Sequence, residues 1–235
     1  MQSSRLPGKV LMDIAGRPTL GRIVDRLRHC NLVDDIVVAT SDGAADNPVQ
    51  AWAESEGVHV HRGSEEDVLA RVLDAQRGLE SEIVVEICGD MPLLDPEIVD
   101  LAVASFLAND CDVLTTVRVP SFPQGVDAEV FRLCDLAEVA RSVDDPAVRE
   151  HVSLYFYEHP ERYRVVNLLA PARWSRSDAR FQLDYPEDHE FVSAVYRTLE
   201  PEFGGTFGVG EVLALLEREP ALAEINRHCE ERAAR

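Results

Sequence analysis

Apolar runs of strand length at positions 36–40 (IVVAT), 83–88 (IVVEIC) and 113–117 (VLTTV) alternate with segments whose apolar residues recur at helical spacing. Continuous apolar runs of this kind are what strands buried on both faces require. Between them, Leu20, Ile23, Val24 and Leu27 fall at i, i+3, i+4 and i+7, so positions 18–27 read as an amphipathic helix. Asn47-Pro48 caps a helix through Glu56, 58–61 is a short strand, and 65–79 is helical. Asp95-Pro96 starts a further helix to about Leu107, with Asp as N-cap and Pro at the first helical position. Strand–helix alternation at this spacing predicts an α/β fold of three layers, αβα, with a mostly parallel sheet.

The second half is more mixed. Positions 128–132, 163–168 and 181–184 read as strands, and 146–157, 186–199, 209–217 and 221–230 as helices. The division expected is a main domain over 1–200 and a C-terminal helical extension over 201–235, with a small antiparallel or dimerising section in the second half. A homodimer is one expectation.

Charge narrows the partners. The 235 residues carry a net charge of −20, which repels nucleic-acid backbones. Any anion must then meet a local positive cluster, and Lys9 is the only lysine in the chain. The five cysteines (Cys30, Cys88, Cys111, Cys134, Cys229) show no C-x-x-C pairing, which favours reduced thiols over a disulfide or zinc framework. No uncharged apolar run is long enough to span a bilayer. A cytoplasmic chain with neither membrane nor nucleic-acid partner is expected.

In open α/β sheets ligands bind beyond the carboxyl ends of the strands, so chemistry is sought just after the apolar runs. Ser3-Ser4-Arg5-Leu6-Pro7-Gly8-Lys9 offers hydroxyls, two cations and a turn glycine. It reads as a loop for a polyphosphate or as a solvated terminus. Asp90, in Gly89-Asp90-Met91-Pro92, is either a turn aspartate or a carboxylate placed for a divalent metal. Asp184 sits in the same form, strand then Asp then a Pro-started helix, so the two carboxylates could share one ion. Asp110-Cys111-Asp112 precedes its strand and is a turn, and His59 and His61 read as surface histidines. No G-x-S-x-G or G-x-G-x-x-G supports a serine hydrolase or a dinucleotide enzyme.

Together, SSRLPGKVLMDIAGRPTL, VATSD, HRGSEEDVLARV, EICGDMPLLDPEIVD and LDYPEDHEFV resemble the cytidylyltransferase family typified by spore-coat polysaccharide biosynthesis protein F. That family is related to the acylneuraminate and 3-deoxy-manno-octulosonate cytidylyltransferases. The resemblance extends over nearly the whole chain and implies a glycosyltransferase-A-like nucleotidyltransferase fold that uses CTP and Mg2+. It implies a triphosphate loop of Ser3, Ser4, Arg5 and Lys9, with Arg5 and Lys9 catalytic. Thr40 and Ser41 would lie near the base, Asp67 and Arg71 would help build the nucleotide pocket, and Asp90 and Asp184 would hold the metal. The segments around Asp127 and Glu129, and around Arg149 and His151, would face the acceptor. Arg118, just after a buried strand, joins them at the ligand edge of the sheet.

The resemblance also implies a first strand ahead of the phosphate loop, and this sequence begins where that strand would end. The expected reaction is transfer of CMP to an acidic acceptor, a sugar acid of nonulosonic or 2-keto-3-deoxy type, in surface polysaccharide or specialised glycan synthesis. The alternatives are a glycosyltransferase on the same fold, a cytidylyltransferase for a phosphonate or polyol phosphate, and an inactive nucleotide-binding subunit. Asp90 and Asp184 are expected within roughly 6–7 Å of each other if they share an ion.

Overall fold

A computed structural model describes residues 5–230; Ser3 and Ser4 lie outside the described residues. After a 3-10 turn at Lys9–Leu11, the chain forms a small hairpin, β1 (Asp13–Ile14) and β2 (Arg17–Pro18), around Ala15-Gly16. Helix α1 (Thr19–Leu27) follows, then β3 (Val37–Ser41), α2 (Asn47–Ser55), β4 (His59–Gly63), α3 (Val68–Arg77), β5 (Ile83–Glu86) and α4 (Pro96–Ala108). The second half adds β6 (Val113–Thr115), β7 (Glu129–Arg132), α5 (Leu133–Ser142), α6 (Pro146–Glu150), α7 (Leu154–Glu158), β8 (Val165–Asn167), α8 (Pro186–Phe203) and α9 (Val209–Arg218).

The alternating pattern of the first half forms as the apolar spacing requires. Asp95 caps α4 by accepting from Glu97 N at 2.9 Å, with Pro96 at the first turn. The antiparallel section expected of the second half is β7, which pairs with both β5 and β6 in opposite sense; β6–β8 and β3–β4 are parallel ladders.

Several local expectations are corrected. The stretch 146–157 is not one helix, because His151 adopts extended backbone at φ −116, ψ 99 and splits it into α6 and α7. The residues 181–184 form no ladder strand. They are pinned instead by Phe181 N to Gln124 O at 2.7 Å and Leu183 N to Asp90 O at 2.8 Å. Residues 221–230 form only a short 3-10 turn at Pro220–Leu222. Helix α5 went unread because its polar residues (Asp135, Glu138, Arg141) interrupt the apolar count, yet Leu136 and Val139 are fully buried.

The segment beyond position 200 packs into the main core. Phe207, Val209, Val212 and Leu215 share one cluster with Phe181, Phe191 and Tyr196. Among the described residues, no helix is long and apolar enough to cross a membrane.

The sheet is divided in its middle. Among the described residues, β3 pairs only with β4, and β5 only with β7. A cavity of about 880 Å³ is lined by both strands together with Leu20 and Val24 of α1 and Val72 and Ala75 of α3. The first strand that the resemblance implies has no counterpart among the described residues. Backbone groups along both edges are left without sheet partners.

Candidate active site

Two carboxylates meet at the carboxyl end of β5. Asp90 lies four residues past the last residue of that strand. In Phe181-Gln182-Leu183-Asp184 the apolar residues alternate inward, both fully buried, which turns Gln182 and Asp184 the other way. The approach of this segment depends on Gly125, whose φ is +89 and whose added Cβ would stand 2.4 Å from Gln182 N.

Lys9 Nζ lies 2.6 Å from Asp90 Oδ2 and 2.6 Å from Asp184 Oδ1. One ammonium therefore bridges both acids. Arg5 Nη2 lies 2.8 Å from Asp184 Oδ2 and its guanidinium sits 5.1 Å from the Tyr185 ring centroid. Thr19 Oγ1 donates to Lys9 O at 2.7 Å and fixes the loop from behind. Burial would lower the Lys9 ammonium, but Asp90 and Asp184 outweigh it and raise its pKa. Burial would raise Asp184, and Lys9 with Arg5 overcomes this and lowers it. Asp90 Oδ1 and Arg5 Nη1 are buried without a hydrogen-bond partner. Sequence reasoning missed Arg180 and Asp188, a buried pair at 2.9 and 3.0 Å whose carboxylate also accepts from Asp184 N and Tyr185 N. The Arg beside the alternating run was the available signal.

Thr40 and Ser41 end β3 with their hydroxyls on Asp46 Oδ2, at 2.7 and 2.8 Å. Asp67 is the N-cap of α3, accepting from Ala70 N at 2.9 Å, and Arg71 donates to Ser64 O, so both shape the loop after β4.

The residues expected at an acceptor separate into two groups. Glu129 is paired in register with Glu86 across β7 and β5. It accepts from Tyr157 Oη and, at 3.3 Å, from Thr115 Oγ1, while Arg118 Cζ lies 5.6 Å from the Tyr157 ring centroid. Asp127, half-buried, leads into β7. Glu86 was not foreseen, although a Glu inside the apolar run 83–88 was its signal. Burial first, and then the Glu129 charge, push Glu86 up to about 8. Arg149 instead contacts Asp67 Oδ2 at 3.2 Å and Ala140 O at 2.6 Å. His151 ends α6 in extended backbone and shares no helical face with Tyr155. Phe156 is fully buried, its ring centroid 5.5 Å from that of Phe131.

The cytidylyltransferase family model matches residues 1–219 of this chain. The chain belongs to the cytidylyltransferase family. It is similar to the spore coat polysaccharide biosynthesis protein SpsF of Bacillus subtilis, at 32% identity over 231 residues, covering 95% of this chain and 93% of that protein. It is 29% identical over 196 residues to the 3-deoxy-manno-octulosonate cytidylyltransferase of Anaeromyxobacter sp. (strain K), covering 77% of this chain and 79% of that one. The solved structure of a cytidylyltransferase from Leptospira borgpetersenii serovar Hardjo-bovis (strain JB197) superposes with a TM-score of 0.89 at 28% identity, over 99% of this chain and 95% of that chain. A nucleotidyltransferase fold and activity class follow for this family member.

Proposed function

We propose that this cytidylyltransferase transfers CMP from CTP to a hydroxyl of a 2-keto-3-deoxy or nonulosonic sugar acid and releases pyrophosphate, in the cytoplasm. The observation that carries the reading is the meeting of Lys9, Asp90 and Asp184 at one point, with Arg5 beside them. The two acids offer only oxygen donors, converge on one cation and leave Asp90 Oδ1 unpartnered, which fits magnesium. When bound there, the ion supplies charge neutralisation on phosphate oxygens.

Lys9 and Arg5 neutralise the acids in the nucleotide-free chain and turn to the triphosphate when CTP arrives, with Ser3 and Ser4 in the same loop. The acceptor oxygen attacks the α-phosphorus in line and gives up its proton to solvent, while the bond from the α-phosphorus to the oxygen it shares with the β-phosphorus breaks and that oxygen leaves on pyrophosphate with the electron pair. Arg5 and Lys9 stabilise the charge on the departing pyrophosphate. Thr40 and Ser41, held by Asp46, line the base end, and Asp67 and Arg71 hold the loop beside it.

At the acceptor, Arg118 meets the sugar carboxylate, while Asp127, Glu129 and His151 meet its hydroxyls. The 3-deoxy-manno-octulosonate enzyme among the relatives supports a sugar acid of this type. Arg149 acts as a brace between α6 and the start of α3. Lys9 seated on both acids favours a second reading, a chain that binds CTP without turning it over.

Pyrophosphate release from CTP against a panel of sugar acids, a phosphonate and a polyol phosphate separates these readings. Release with a sugar acid alone is expected. Release only with a phosphonate or polyol phosphate overturns the acceptor class, and CTP binding without release under any acceptor establishes the second reading.

A further inference from the structure

Away from the acid pair, three chemically different donors come together where the C-terminal tail crosses the start of α8. Glu187 stands in the first turn of that helix, and His228 and Cys229 are consecutive in the tail. One donor atom from each lies within 4.8 Å of the other two, and His228 Nε2 is 3.7 Å from Glu187 Oε1.

The tail is held there by contacts that do not involve these donors. Asn226 is buried, and its Nδ2 donates to Asp188 Oδ1 at 2.9 Å and to Arg180 O at 3.1 Å. Cys229 N closes a turn onto Asn226 O at 3.0 Å, and Tyr185 Oη donates to Glu230 O at 3.3 Å. The anchor precedes the donors and the clasp follows them, so residues 227–229 form a loop fixed at both ends against α8.

We infer that Glu187, His228 and Cys229 form a site for a thiophilic divalent cation of the zinc class, which clamps the tail to α8. A carboxylate oxygen, an imidazole nitrogen and a thiolate are the donors zinc takes, and three protein ligands leave the fourth tetrahedral position for water. Metal–ligand bonds of about 2.0–2.3 Å would bring the donors to roughly 3.5 Å apart. The observed spread, at most 4.8 Å, closes to that by side-chain rotation, since none of the three residues is buried. Magnesium has no affinity for such a set, because it demands oxygen ligands in an octahedron. The site is therefore chemically distinct from the acid pair, although Asp184 is three residues from Glu187.

Its position gives it a consequence. Tyr185, clasped by the tail at its hydroxyl, carries the Arg5 guanidinium on its ring. A cation on Glu187, His228 and Cys229 would hold that platform still.

Cobalt(II) titration of the full-length reduced chain, with magnesium in excess, reads the site without reference to activity. One equivalent should give a thiolate-to-cobalt charge-transfer band in the near ultraviolet and be displaced by zinc. C229S should lose the band, and H228A and E187Q should each weaken binding by roughly tenfold or more. Zinc should also slow alkylation of Cys229, located by peptide mass mapping, by roughly tenfold or more. A chain that gives no thiolate band, or a C229S variant that keeps it, would overturn the inference. So would alkylation of Cys229 at an unchanged rate with zinc present.

Discussion

Lys9 Nζ and Asp184 Oδ1 lie 2.6 Å apart although 175 positions separate them in the chain. The contact ties the 3-10 turn at Lys9–Leu11 to the loop before α8, and Asp90 shares the same ammonium. A lysine between two acids does in the free chain what the proposed metal would do in the loaded one. It keeps buried carboxylates compensated until ligand arrives.

Nucleotide affinity should therefore depend on this lysine. Lys9→Ala is expected to weaken CTP binding by roughly 1–3 kcal/mol, the worth of a charge-assisted contact. Calorimetric titration with CTP checks it, and unchanged affinity would remove Lys9 from the triphosphate site.

The Glu86–Glu129 pair sets a pH dependence whose sign can be worked out. Glu86 rises from its ordinary 4.5 to about 8 in the folded chain, by burial and then by the Glu129 charge. Between those values the folded state holds a proton that the unfolded chain has released, so stability falls as pH rises across that window and levels off above it. Glu86→Gln should flatten this decline and raise the melting temperature by roughly 2–4 °C near pH 8, leaving it little changed near pH 4.5. Thermal scans across the window decide, and an equally steep decline in the variant would contradict the assignment.

Arg149 is expected to act on stability and not on substrate. Its guanidinium reaches Asp67 Oδ2 and Ala140 O. Arg149→Ala should lower stability by roughly 1–3 kcal/mol, because Asp67 loses its partner. The acceptor KM should stay unchanged. A raised KM with an unaltered melting curve would return Arg149 to the acceptor pocket.

Hydrogen exchange should expose the division of the sheet. Amides of β3 and β5 that line the cavity should exchange well before those of β7, which has a partner on each side. Equal protection of β3, β5 and β7 would mean the two edges are paired in solution.

The alternation of apolar runs with helical spacing was enough to place β3, β5, β6 and the helices of the first half. Asp90 and Asp184 were legible because each follows an apolar stretch and precedes a proline-shaped turn. What escaped depended on contacts between distant positions. Gly125 reads as an ordinary loop glycine until Gln182 is seen against it. Arg180 and Asp188 look like surface charges until each is found buried on the other. The break at His151 was hidden because neither Gly nor Pro falls within 147–157 to mark it.

The central claim is that Asp90 and Asp184 act as one centre for nucleotidyl transfer. Pyrophosphate release from CTP and a sugar acid, measured against magnesium concentration in the unaltered chain, Asp90→Asn and Asp184→Asn, tests it most directly. Both variants should lose release while circular dichroism keeps the fold. Asp184→Asn should melt lower than Asp90→Asn, because Asp184 is the more buried and carries Arg5 and Lys9 together. Magnesium-dependent release that persists in a folded variant of either acid would contradict the account.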